Sequence, residues 1–159
     1  MGAVRMRVLV LVDGLHTREL LESLVRLLNL QDAEMLLVHV QGPGARAGLD
    51  MLQHQPGGHR RPPPRERDLV EAEEMGSTAA LAEAEAAARL LAAAVETAQV
   101  RGEPGPAVCE LARSAGVDLI AIRAGGRDQP RVGPKSLGPT ARFVSDHSPC
   151  PVLLLRGGR

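Results

Sequence analysis

The sequence predicts an α/β domain, a five-stranded parallel open sheet with helices on both faces. Five short apolar runs alternate with helix-like patterns, as parallel strands joined by crossover helices do. The first run, residues 7–12 (RVLVLV), is continuous rather than alternating, which marks a central strand covered on both sides. With 159 residues and 44% hydrophobic content the chain can bury one sizeable core, whereas two domains of half that length would each be marginal. Residues 1–159 are therefore expected to form a single domain.

Each element follows in order. After the first strand and Asp13-Gly14, Thr17 is the expected N-cap of a helix whose apolar positions Leu20, Leu21, Leu24, Val25 and Leu28 recur at helical spacing. Residues 34–41 (EMLLVHVQ) form the second strand. From 42 to 67 the composition shifts to Gly, Pro, Arg and His, including Pro62-Pro63-Pro64, which neither helix nor central strand tolerates, so a flexible insertion loop is expected. The Ala- and Glu-rich stretch 68–94 is helical, with a reset at Gly76-Ser77 where Ser77 is a candidate cap. Residues 95–101 are a third strand. The Gly102 to Pro106 turn puts Pro106 at a helix start, Val108, Leu111, Ala112 and Ala115 give that helix an apolar face, and Gly116 stops it. Residues 117–123 (VDLIAIR) are strand four, 124–137 a loop, and a last helix opens at Gly138-Pro139-Thr140 before strand five, 151–155 (PVLLL).

Composition excludes several functions. Nineteen basic and nineteen acidic residues cancel, so no global field draws the chain to nucleic acid or an anionic membrane, and Phe143 as the sole aromatic leaves no stacking platform for single-stranded bases. Neither nucleic acid nor membrane is an expected partner. Cys109 and Cys150 have no CxxC or disulfide-framework spacing, which fits reduced thiols in the cytoplasm. The apolar run ending at Asp13 is too short for a membrane span or signal-peptide core.

In an open parallel sheet, ligands bind beyond the carboxyl ends of the strands, where strand order reverses. Asp13, the end of strand two near Val40, and the passage from Gly125 to Thr140 converge there. Glycine lets backbone N–H groups approach a phosphate, and a helix start adds free donors and a positive dipole end. The alternative is that Gly125 and Gly126 end a strand and Gly138 caps a helix.

RVLVLVDG, LLVHVQ, the Gly102-x-Pro104 turn, VDLIAIRAGG and GPTARFVSDHSPCPVLLL, in this order, resemble the universal stress protein family over nearly the whole chain. The resemblance implies a Rossmann-like, adenine nucleotide alpha hydrolase-like fold, and a homodimer, often formed through the last strand. It also implies a Gly-x2-Gly-x9-Gly-Ser/Thr motif after strand four, with an Asp after strand one against the nucleoside. Gly125 and Gly138 match the first and third glycines, Asp128 replaces the second, and Pro139 replaces the Ser/Thr. Asp13 matches the acidic position, with Val12 beside it as a further binding candidate, and Val40 matches the strand-two position whose backbone usually meets the base. Asp128 adds negative charge where an anion would approach, offset in part by Arg127, Arg131 and Lys135. Pro139 removes an N–H and a hydroxyl, although Thr140 keeps both. The expected function is thus a stress-response regulatory domain with an altered adenine-nucleotide site that binds ATP or AMP weakly or not at all. The alternative is a nucleotide-independent dimeric scaffold that takes a protein partner.

No enzyme is expected. The chain has no G-x-x-x-x-G-K-[ST] and no G-x-G-x-x-G after a strand. His54 and His59 sit in the insertion without a Cys or carboxylate cluster to complete a metal site. His39 lies inside strand two, where a hydrogen-bonded histidine is the simpler reading. Asp146-His147-Ser148 lacks the nucleophile-elbow context of a triad.

Overall fold

The computed structural model describes residues 5–14, 16–42, 66–125 and 137–156. Five parallel strands form one sheet: β1 (Arg7–Leu11), β2 (Glu34–Gln41), β3 (Ala94–Arg101), β4 (Leu119–Arg123) and β5 (Val152–Leu155). The crossover helices are α1 (Thr17–Leu27), α2 (Glu66–Ala88), α3 (Pro104–Ala115) and α4 (Pro139–His147). The strand order is β3-β2-β1-β4-β5. The chain runs outward from β1 to β3, then returns across the sheet to β4 and β5, so the order reverses between β1 and β4.

The sheet separates two cores. On one face Val8 and Val10 of β1, with Val12 just beyond its end, meet Leu20, Leu21 and Leu24 of α1 and Leu81, Ala84 and Ala88 of α2. On the other face Leu9, Val38, Ile120 and Ile122 meet Val108 and Ala112 of α3 and Ala141 and Val144 of α4. Adjacent residues of β1 point to opposite faces and both are buried, which is why its sequence is an unbroken apolar run. Asp118 explains the polar residue at the head of β4: its carboxylate accepts the Arg7 N–H at 2.8 Å and its own N–H donates to the Arg7 carbonyl at 2.8 Å, joining the starts of β1 and β4.

Several helix boundaries differ from the expectation. Thr17 is the first residue of α1 and not its cap; His16 occupies the N-cap position, and the Asp13 carboxylate takes the His16 N–H at 2.9 Å. This Asx-type bond fixes the turn from the strand end into the helix, and His16 makes no side-chain capping bond to the first turn. Helix α2 runs unbroken through Gly76-Ser77, because Ser77 is buried against β2, where Gln41 Nε2 donates to its hydroxyl at 3.3 Å. It ends at Ala88 rather than near 94, and residues 89–93 turn the chain into β3. Helix α3 begins at Pro104, two residues before the expected Pro106, since Pro104 already satisfies the first helical position. Gly116 closes α3 in the left-handed conformation (φ 60°) that glycine adopts without a Cβ penalty. Residues 43–65 of the expected insertion lie outside the described residues.

Cys109 sits on the buried face of α3 at 4% exposure. Burial pushes its thiol above the ordinary value of 9.0, with Cys150 adding to the rise and Arg113 opposing it. A raised folded-state value means the unfolded chain gives up its proton first as pH rises. The stability held by the neutral thiol is therefore complete below the ordinary value of 9.0 and is lost as pH climbs through the folded-state value. Urea unfolding between pH 8 and pH 10 is expected to show a steeper loss of stability in the wild type than in Cys109→Ala.

Candidate functional site

The carboxyl ends of β1, β2 and β4 and the first turns of α3 and α4 enclose a cleft of about 620 Å³. Of the sequence-predicted positions, Val12, Asp13, Val40, Gly125, Gly138, Pro139 and Thr140 all line it; Asp128 lies outside the described residues. His54 and His59 also fall outside them. Among the described residues no three His, Cys, Asp or Glu side chains group closely enough to hold a metal ion. The cleft stands at the point where the strand order reverses, so topology and cavity agree on its place.

Each wall has a local cause. Beyond β1 the chain bends at Gly14, whose φ of +78° favours glycine, and an added Cβ there would stand 3.4 Å from the Ala80 Cβ of α2. The floor between β1 and β2 extends one step past β1, through the Val12 N–H donating to the Val38 carbonyl at 2.8 Å. On the far side the Gly138 N–H donates to the Ala124 carbonyl at 2.8 Å, which fixes the start of α4 against the end of β4. Gly138 is the N-cap of α4 and offers no side-chain bond; Pro139 follows with no N–H. The Arg142 N–H closes the first helical bond to the Gly138 carbonyl, leaving the Thr140 and Ala141 amides as the donors of the first turn without an intrahelical acceptor. Helix α3 also enters the cleft by its N-terminus, but Pro104 and Pro106 remove two of its donors.

The charged centre of the cleft was not anticipated. Arg123, the last residue of β4, lines the same cavity and places Nη1 3.1 Å from Asp13 Oδ2 and 2.5 Å from His16 Nδ1. Asp13 and Arg123 side chains are 27% and 23% exposed, so the pair is only partly screened by water. A guanidinium only donates, so His16 Nδ1 must be the acceptor and the ring proton must sit on Nε2. A His16–Asp13 ion pair would need that proton on Nδ1 and spans 3.5 Å, so the shorter arginine contact decides the tautomer. A charged residue ending an otherwise apolar strand was the sequence signal for Arg123. Ser77 and Ala80 line the cleft from α2, a contribution hidden by the long insertion that separates them from β2 in sequence.

A parallel sheet reversing between its first and fourth strands, with a cleft at that reversal walled by a carboxylate and a helix start, defines a doubly wound α/β domain of the Rossmann-like class. The chain belongs to the universal stress protein family, whose model matches residues 5–156. Solved structures agree on the fold. The universal stress protein UspA from Lactobacillus plantarum is similar at 21% identity and a TM-score of 0.72, over 98% of this chain and 100% of that one. A universal stress protein family member from Arabidopsis thaliana with AMP bound is 18% identical, with a TM-score of 0.65 over 96% of this chain and 92% of that one. The universal stress protein from Archaeoglobus fulgidus in complex with dAMP is 19% identical, with a TM-score of 0.61 over 95% of this chain and 98% of that one. No curated protein matches the chain. Among the described residues no helix is long and apolar enough to cross a membrane.

Proposed function

We propose that this domain is a non-enzymatic, cytoplasmic regulatory module that takes an adenine nucleotide, ATP or AMP, weakly in the cleft at the β1/β4 reversal. The observation that carries this reading is the start of α4: a helix N-terminus faces a roomy cleft, yet Pro139 withholds one N–H and the hydroxyl expected beside it. Relatives crystallised with AMP and dAMP support the ligand class. The absence of catalysis is supported by the pairing of Asp13 with Arg123, which ties the two charged groups to each other instead of around a nucleophile. In Pro139→Ser the missing donor and hydroxyl return, and ATP binding measured by titration calorimetry is expected to tighten about tenfold. Tight ATP binding by the unaltered protein would overturn the account of Pro139 and of Asp128.

A second reading is a nucleotide-independent dimeric scaffold. Its supporting observation is the outer edge of the sheet at β5, where Val152, Leu153 and Leu154 are each half-buried, paired with β4 on one side and with no strand on the other among the described residues. An apolar edge of that kind favours pairing with a second copy, and an isologous two-fold contact would close it. Native mass spectrometry separates the readings: co-purifying adenine nucleotide supports the first, an empty dimer the second.

A further inference from the structure

We propose that Arg123 sets the ligand class of this cleft by making it depend on phosphate: it admits a nucleotide and discriminates against the neutral nucleoside. The inference rests on the adenine-nucleotide reading above and adds the residue that decides which form of the ligand is taken. Asp13 lines the cleft at the end of β1, where its carboxylate is an acceptor within reach of a ligand hydroxyl, and Arg123 is already bonded to it at 3.1 Å while also donating to His16. A neutral diol that takes Asp13 displaces the guanidinium and gives it nothing in return, leaving a partly buried cation without its anion. A phosphate gives the guanidinium a new anionic partner, so the exchange conserves a charge-assisted contact. The covalent layout permits that exchange. Arg123 is followed directly by Ala124, whose carbonyl holds the Gly138 N–H, so the arginine springs from the chain beside the first turn of α4, and its side chain shares one cavity with Thr140 and Ala141.

Adenosine, AMP and ATP titrated calorimetrically into the wild type and into Arg123→Ala test this. The wild type is expected to prefer AMP to adenosine by about tenfold or more, and in Arg123→Ala adenosine is expected to bind about tenfold tighter while AMP does not improve. Adenosine binding the wild type as tightly as AMP, or more weakly to the variant, overturns the proposal while leaving the nucleotide reading in place. No binding of any of the three to either protein overturns the nucleotide reading and this assignment with it. A ligand-free measurement separates the two failures: imidazole ¹⁵N shifts are expected to place the His16 proton on Nε2 in the wild type and to lose that bias in Arg123→Ala. A proton on Nδ1 in the wild type would show that the arginine contact itself does not hold.

Discussion

Leu37→Ala is expected to destabilise the domain by about 2–5 kcal/mol, measured by urea unfolding with circular dichroism. Leu37 is fully buried on β2 and belongs to the core formed with α1 and α2. Removing three carbons there leaves a hole that α1 and α2 cannot easily close, since both are held to the sheet by other buried leucines and alanines. A midpoint within error of the wild type would mean that this face of the sheet is loosely packed.

Gly105→Val is expected to cost about 2–3 kcal/mol, the upper part of the range for overpacking, and to lower ligand affinity at the same time. A Cβ at Gly105 would lie 2.8 Å from Cβ, Cγ and Cδ1 of Phe143, closer than real contacts allow. Relief has to come from moving the helix, because the first of these atoms is fixed to the α4 backbone, not at the far end of a flexible side chain. Helix α4 carries Pro139 and Thr140 into the cleft, so the same displacement distorts the ligand wall. Phe143 is further held by stacking on His147, with ring centroids 4.1 Å apart. A variant that melts like the wild type and keeps its ligand affinity would refute this account of the α3–α4 contact.

The parallel sheet was legible because its signals are periodic and local. Continuous apolar runs at β1 and β4 follow from two-sided burial, and Gly116 stops α3 as its sequence position implies. The helix starts were less legible, because local turn bonding and proline placement set them rather than the expected positions: Asp13 took the His16 N–H and left Thr17 inside α1, and Pro104 opened α3 ahead of Pro106. The cleft's position followed from topology, and most of its predicted lining lies where expected. Its electrostatics did not follow. The Asp13–Arg123 bond joins residues 110 positions apart, and only the adjacency of β1 and β4 brings them together. Likewise, Ser77 and Ala80 reach the cleft only because α2 packs back over β2.

The placement of β1 at the middle of the sheet has a thermodynamic consequence. Its side chains alternate between the two cores, with Val8 and Val10 committed to one and Leu9 to the other, so loosening either helical layer exposes the strand on which the opposite layer also depends. The cleft begins where that same strand ends, at Val12 and Asp13. A molecule held there tethers the shared spine, and its mass-action stabilisation is distributed through the whole domain as a rise in the global melting temperature, not as the local quieting of one loop.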